Sequence, residues 1–227
     1  MANTFDLQEQ EQLDDLKAFW KRYGNLITWV ITAVLLAFAS WNAWGWYQRD
    51  QAAKAGAMFE ELDKAATAGD VERVGRVFND MKERFARTTL THQAGLMAAK
   101  LQYDKGQAGA AQASLSWVAD KAGEDEYRSI ARLRLAGVQL DAKQYDAALK
   151  SLDAVTTREV AALAADRRGD VLLAQGKKEE ARKAYQAAWT AMNPKIDYRR
   201  LVEAKLTALA APPVAAAAAT AASGAAK

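Results

Sequence analysis

The pattern of apolar and polar residues changes once along the chain, near residue 50. Residues 26–47 carry no charge and place apolar side chains on every side of a helix. From about residue 52 onward, apolar residues recur every three or four positions within short segments separated by glycines, which is the spacing of amphipathic helices. We therefore predict an all-α fold, in which one apolar helix precedes a series of short amphipathic helices.

The uncharged segment is long enough to cross a membrane. Its 22 residues extend over roughly 33 Å as a helix, which matches the ~30 Å hydrocarbon core of a bilayer. The hydroxyl groups of Thr28, Thr32 and Ser40 can bond to the preceding turn of the same helix. We predict that residues 26–47 form a transmembrane helix in contact with lipid. Aromatic residues flank both of its ends, as at membrane interfaces: Phe19, Trp20 and Tyr23 on one side, and Trp41, Trp44, Trp46 and Tyr47 on the other.

The residues around this segment predict a retained anchor with a cytoplasmic N-terminus. A cleaved signal peptide is the alternative, because Ala37-Phe38-Ala39 resembles a cleavage site, but the preceding region is long and acidic overall. Three basic residues precede the segment and two follow it, which favours a cytoplasmic segment over 1–25 and a periplasmic domain over 48–211 of a bacterial inner-membrane protein. These basic residues are Lys17, Lys21 and Arg22 before it, and Arg49 and Lys54 after it.

The clearest repeated unit covers residues 163–188 and resembles the tetratricopeptide repeat, a helix–turn–helix unit of about 34 residues. Gly169 lies 12 residues before Ala181, and Tyr185 follows four residues later. Small residues at the first two positions let the two helices approach closely, and the tyrosine fills the space beside the next hairpin. Gly176 ends the first helix, where a residue without Cβ readily adopts a positive φ.

The same register recurs three times upstream. The small position of the second helix is occupied by Val74, Ala111, Ala148 and Ala181, which are separated by 37, 37 and 33 residues. Such spacing is typical of a solenoid of helical hairpins. We predict about four hairpins, of which the first, with Leu62 and Val74 at small positions, is degenerate. The other register positions are Gly69, Phe78 and Met81; Ala99, Gly106, Leu115 and Val118; and Ala136, Tyr145, Leu152 and Val155.

Residues after Asn193-Pro194 predict a capping helix and then a tail. Asp197 is a candidate N-cap, and Leu201, Val202 and Leu206 indicate one apolar face. A cap is expected because the last repeat otherwise exposes its apolar side. Residues 212–227 are rich in alanine and predict a disordered tail, with an alanine-rich helix as the alternative.

Composition excludes most chemistry. The chain has no cysteine and one histidine, His92, so disulfides, cysteine-ligated metals and histidine pairs are excluded. Its net charge is +3, without the long basic runs that predict a nucleic-acid partner. No nucleotide-binding, metalloprotease or serine-hydrolase motif occurs. We therefore predict a binding protein without catalytic residues, metal or cofactor. His92 is expected at the surface or near a helix cap, and Glu124-Asp125-Glu126 in a solvated loop instead of a cation site.

The tetratricopeptide resemblance implies a concave groove that is lined by the first helix of each hairpin. The mixture of apolar and charged residues on this face suits a peptide or an unfolded segment better than a single anionic terminus. The alternative is that several of these residues pack between adjacent hairpins. The groove residues that the register implies are Leu96, Lys100, Tyr103, Leu133, Leu140, Asp166, Asp170 and Leu173.

The whole arrangement resembles the YfgM-like family, an ancillary subunit of the bacterial SecYEG translocon. The most specific match is the stretch EQEQLDDLKAFW at residues 9–20, which precedes one anchor and a helical-repeat domain. This resemblance implies three kinds of partner: the Sec translocon, a membrane-anchored periplasmic chaperone of the prolyl-isomerase type, and unfolded or nascent secreted polypeptides. It also implies that the protein helps to transfer translocated chains to periplasmic chaperones.

Two other functions remain open at this point. The repeats could hold one folded partner during assembly of a cell-envelope or cytochrome-biogenesis complex. A protein with inverted topology could instead act as a regulator in the cytoplasm.

Overall fold

The structure, a computed structural model, describes residues 7–209. The predicted tail at 212–227 and the first six residues of the predicted cytoplasmic segment lie outside them. The described residues form helices joined by turns and contain no strand, so the all-α prediction is confirmed. The chain divides into two compact units, Met1–Gln51 and Ala52–Lys227. The helices are α1 (Leu7–Thr67), α2 (Val71–Arg84), α3 (Thr89–Asp104), α4 (Ala108–Lys121), α5 (Asp125–Asp141), α6 (Tyr145–Asp153), α7 (Arg158–Ala174), α8 (Lys178–Ala191) and α9 (Tyr198–Ala208).

The described residues of the first unit are residues 7–51 of α1, which include the apolar segment. Among the described residues, α1 is the one helix whose length and composition allow it to cross a membrane. Its large apolar side chains are exposed, with Trp29 at 69% and Trp41 at 80%, so this helix is not the buried core of a globular domain. Thr28 Oγ1 donates to the Gly24 carbonyl and Thr32 Oγ1 to the Thr28 carbonyl, each at 2.8 Å. The helix therefore satisfies its own polar groups, as lipid requires.

The described residues of the second unit, 52–209, form four helical hairpins and one further helix. Residues 52–67 of α1 pack against α2, and α3 with α4, α5 with α6, and α7 with α8 form the next three pairs. The capping helix α9 packs against α8. The predicted hairpin register is confirmed, because each predicted small position of a second helix is fully buried: Val74, Ala111, Ala148 and Ala181.

Each hairpin turns in the same way. Gly106 N–H donates to the Tyr103 carbonyl at 2.9 Å, and Gln107 N–H donates to the Gln102 carbonyl at 2.7 Å, which is the bonding pattern of a Schellman motif. Gly69, Gly106 and Gly176 occupy the left-handed position, with φ between 70° and 78°. In the third hairpin this position is taken by Lys143, with φ of 59°.

Close helix contacts depend on glycines in the first helices. A Cβ on Gly169 would overlap the Tyr185 ring, and Tyr185 is 1% exposed. The predicted close approach of α7 and α8 at Gly169 is therefore confirmed, and the Tyr185 ring fills the space beside this glycine within its own hairpin. Gly95 of α3 has the same role in the second hairpin, since its Cβ would lie 2.5 Å from Val118 Cγ2 and 2.8 Å from Phe78 Cζ.

His92 lies in the first turn of α3, near the helix cap as expected, but it is buried, at 1% exposure, and does not lie at the surface. Its Nδ1 lies 3.2 Å from Glu124 Oε2, and its Nε2 lies 3.1 Å from the Ala86 carbonyl oxygen. Glu124 occupies the N-cap position of α5 and also accepts a hydrogen bond from Thr89. This bond from Thr89 is the main cause that lowers the pKa of Glu124. The acidic triplet thus lies at the start of α5 and not in a solvated loop as expected, and Glu124 joins this helix start to the first turn of α3.

The cap differs from its predicted geometry in two details. Asp197 lies at the N-cap of α9, but its side chain makes no capping hydrogen bond. Val202 and Leu206 are fully buried, whereas Leu201 is 48% exposed. The apolar face of α9 is therefore narrower than the sequence pattern predicts.

Candidate peptide-binding groove

Two adjoining cavities lie along the first helices of the hairpins. The larger, which we call the apolar cavity, has a volume of about 780 Å³, and the smaller, the basic cavity, about 380 Å³. Arg167 of α7 lines both, so the two cavities meet at this side chain. The apolar cavity is lined by residues that include Leu133, Ala162, Leu163, Met192 and Ile196. The basic cavity is lined by residues that include Lys100, Tyr103, Arg134, Gly137 and Asp141.

Half of the predicted groove residues line these cavities. Lys100 and Tyr103 line the basic cavity, and Leu133 and Asp166 line the apolar cavity. The other four line neither of them. Leu96 is buried, Leu140 packs into the core of the third hairpin, Asp170 is partly buried and Leu173 is 38% exposed.

The capping helix engages two of the predicted groove carboxylates. Asp166 is 2% exposed, and Lys205 Nζ lies 2.8 and 2.9 Å from its two oxygens. The same Nζ lies 2.7 Å from Asp170 Oδ1. Tyr198 donates its hydroxyl to Asp166, and Tyr185 donates its hydroxyl to Asp170, each at 2.8 Å. These carboxylates therefore join α7 to α8 and α9.

Burial and the neighbouring carboxylates disfavour the ionised form of both tyrosines. Burial is the largest cause that raises the pKa of Tyr198 to about 12, followed by its hydrogen bond to Asp166. Burial also raises the pKa of Tyr185, with its bond to Asp170 as the second cause. Both hydroxyls stay protonated at neutral pH and can donate to the carboxylates.

Tyr103 connects two helices on the same side of the domain. Its hydroxyl on α3 donates to the Asp141 carboxylate on α5, and this hydrogen bond is the main cause that raises the pKa of Tyr103. The ring itself is 41% exposed. It therefore presents an aromatic face beside the basic cavity while its hydroxyl is already bonded.

Sequence reasoning missed the two arginines of the basic cavity. Arg134 and Arg167 each lie two residues before the small position of their helix, Ala136 and Gly169. The repeat register itself could have identified them as equivalent positions on successive first helices. Neither the hydropathy pattern nor the charge count distinguishes them from other surface arginines.

Among the described residues, the groove offers surface on which a ligand can bind. No group of three histidine, cysteine or acidic side chains is arranged there to hold a metal ion. The apolar cavity is open to solvent, and both Leu163, 37% exposed, and Ile196, 51% exposed, line it. A ligand with apolar side chains, such as an extended polypeptide, could bury these surfaces.

Comparisons with known proteins match the chain along most of its length. A family model described as a tetratricopeptide repeat-like domain matches residues 17–211. A protein of Neisseria gonorrhoeae is 30% identical over 207 residues, which cover 89% of this chain and 98% of the relative. A protein of Escherichia coli is 30% identical over 79% of this chain and 86% of the relative. A protein of Haemophilus influenzae is 26% identical over 82% of this chain and 90% of the relative. All three relatives are named ancillary SecYEG translocon subunit.

Proposed function

Because the chain belongs to the YfgM-like family of ancillary SecYEG translocon subunits, we propose that it acts beside the bacterial Sec translocon as a non-enzymatic binding protein. The observation that carries this proposal is the extent of the similarity, which covers the apolar helix as well as the repeats. A relative that shared only the repeats would support a generic scaffold. Similarity through both parts supports the same membrane-associated role.

The proposed arrangement is that of a single-pass inner-membrane protein. The exposed apolar helix and the translocon-associated relatives fit this arrangement. We place the N-terminal segment in the cytoplasm and the repeats over 48–211 in the periplasm, because the basic residues before the apolar segment outnumber those after it.

The proposed action is to bind unfolded polypeptides as they leave the translocon. The two cavities supply apolar and charged surface on the first helices of the hairpins. An anchor beside the exit site raises the local concentration of the groove, so that weak contacts give useful occupancy. Bound chains would then pass to periplasmic chaperones, among them a membrane-anchored prolyl isomerase.

Photocrosslinking of the full-length protein in cells tests this action. A photoreactive residue replaces Leu163 in the apolar cavity, and a second replaces Arg182, an exposed residue of α8 outside both cavities. We expect many secreted chains to crosslink to position 163 during their synthesis, and few to position 182. Capture of one folded protein at position 163 would instead indicate an assembly scaffold.

Affinity purification in mild detergent tests the association with the translocon. The intact protein is expected to retain translocon subunits. In a matched variant, an unrelated transmembrane sequence replaces residues 26–47, so that the protein stays in the membrane. If this variant still retains translocon subunits, the native transmembrane sequence is not needed for the contact.

A reporter enzyme fused after Lys227 tests the orientation. A reporter that is active only in the periplasm is expected to be active, and one that is active only in the cytoplasm is expected to be inactive. The reverse result would exclude any role at the exit side of the translocon.

A further inference from the structure

Two arginines face the basic cavity from neighbouring helices. Arg134 and Gly137 are three residues apart on α5 and therefore share a helix face. The Arg167 guanidinium reaches the same place from α7, since a Cβ on Gly137 would lie 3.8 Å from Arg167 Cζ. Because Gly137 has no side chain, space remains beside it in the basic cavity. The two positively charged side chains line this cavity together.

The carboxylates near this cavity are already bonded. Asp104 pairs with Lys100, Asp141 accepts from Tyr103, and Asp170 accepts from Lys205 and Tyr185. Each of these carboxylates has thus satisfied part of its bonding capacity within the protein. They therefore have less capacity left to pair with the arginines.

The two guanidinium groups are therefore weakly paired. Arg134 is exposed, and its one hydrogen bond among the described residues is at 3.5 Å, to the Leu96 carbonyl oxygen. Arg167 lies 3.8 Å from Asp170, at the outer limit for an ion pair. Five N–H donors in a planar fork match a carboxylate in two parallel hydrogen bonds, and these donors remain available on Arg134.

We propose that the basic cavity recognises a carboxylate side chain of the bound polypeptide, so that the groove prefers segments in which Asp or Glu accompanies apolar residues. This inference rests on the proposed function, because it takes the ligand to be a polypeptide. The apolar cavity meets the basic cavity at Arg167. One extended ligand can therefore place an apolar side chain in the first and an acidic side chain in the second, which a free anion cannot do.

Binding of two matched peptides to the full-length protein in detergent tests this preference. One labelled peptide alternates Leu and Glu with Gly and Ser, and its twin carries Gln in place of every Glu. Fluorescence anisotropy at low salt is expected to give about tenfold tighter binding of the Glu peptide, the factor expected for one charge-assisted hydrogen-bonded contact. The preference should shrink as salt is raised, because the cavity is open to solvent.

Variants then assign the preference to the arginines. Arg134→Gln combined with Arg167→Gln should reduce binding of the Glu peptide to that of the Gln peptide. Arg182→Gln, a change of an exposed arginine on α8, should leave the preference intact and serves as the matched control. Circular dichroism verifies that the helices are retained. Arg134→Gln alone provides a second test on an exposed residue, and it should weaken the preference by several fold.

The outcomes separate this inference from the proposed function. Equal binding of the two peptides by the unaltered protein, or a preference that survives in both arginine variants, overturns the carboxylate site while leaving polypeptide binding in place. If neither peptide binds to the unaltered protein, both the carboxylate site and the proposed polypeptide binding are overturned. Loss of the Glu preference in the arginine variants, with Gln-peptide binding unchanged, supports the proposal.

Discussion

At the scale of single residues, one backbone angle distinguishes the third hairpin from the others. Lys143 has φ of 59° at the turn position where glycines stand in the other three hairpins. A residue with Cβ is strained in this region by roughly 1–2 kcal/mol, whereas glycine is not. The turn forms nevertheless, since Gln144 N–H donates to the Gln139 carbonyl at 2.8 Å.

Replacing Lys143 by glycine should stabilise the protein. The gain is the released strain minus the extra freedom of glycine in the unfolded chain, about 0.5 kcal/mol in the free energy of unfolding. Urea unfolding followed by circular dichroism measures it. Lys150→Gly, inside α6, is the reference and should destabilise by about 1 kcal/mol. Equal effects of the two substitutions would contradict this account.

Residue-scale features were predictable from sequence only where the repeat register defined them. Gly169, Ala181 and Tyr185 were predicted because their spacing has one packing explanation. The burial of His92 was not, because its partners Glu124 and Ala86 come from two different loops. The equivalent residue one repeat later, Ser129, is also buried and accepts from two backbone N–H groups. Comparison of these two positions could have revealed that they join successive hairpins.

At the scale of elements, α9 is fixed by a buried ion cluster as well as by apolar packing. Val202 and Leu206 bury the apolar face, as the sequence pattern predicts. Lys205 bonds to both Asp166 and Asp170 of α7, which the pattern does not predict, because helical periodicity gives the face of a residue and not its partner. Asp166, which also lines the apolar cavity, and Asp170 thus hold the cap as well as belonging to the predicted groove.

Replacing Lys205 by methionine should destabilise the protein strongly. Asp166, at 2% exposure, would lose its cation, and breaking such a buried pair costs about 3–5 kcal/mol. Thermal unfolding measures the loss. The double variant Asp166→Asn with Lys205→Met removes both charges and should recover part of it. A Lys205→Met protein as stable as the unaltered one would show that the cluster contributes little.

The tyrosines of this cluster predict sensitivity to alkaline pH. The pKa of Tyr198 is raised from 10.0 to about 12, so its contribution to stability is complete below pH 10 and is lost as the pH rises toward 12. Since Tyr198 is 37% exposed, solvent screening limits the effect to at most about 1 kcal/mol. Tyr198→Phe cannot ionise. Its stability relative to the unaltered protein should therefore rise as the pH increases from 10 toward 12, measured by urea unfolding at each pH.

At the scale of the whole molecule, the repeat domain has several small cores instead of one. Separate apolar clusters surround Phe78 in the first hairpins, Leu115 further along and Tyr185 at the end. In such an array each hairpin depends mainly on its neighbours, so stability is distributed locally. The number and order of hairpins were predictable, because local spacing determines them. The cavities were not, because they arise between helices that are distant in sequence.

Because stability is distributed locally, a substitution in one core should destabilise mainly its own hairpin and the adjacent helices. Gly169→Ala places a Cβ against the Tyr185 ring and should destabilise the last hairpin by about 1–3 kcal/mol or more. Hydrogen exchange should then accelerate in α7, α8 and α9, and remain nearly unchanged in α2 and α3. Gly109→Ala, at a position where a Cβ meets nothing within 4 Å, is the control. Uniform acceleration throughout the domain would indicate one cooperative core.

The exposed tryptophan rings of α1 dominate the intrinsic fluorescence of the protein. Five of its seven tryptophans lie between residues 20 and 46, and each of those rings is more than half exposed. The remaining two are packed in the repeats, Trp117 against Phe78 and Trp189 beneath the Arg199 guanidinium. Ultraviolet emission from the intact chain will therefore follow its lipid or micelle surroundings. A chain with those five tryptophans changed to phenylalanine would fluoresce only from Trp117 in the second hairpin and Trp189 in the last.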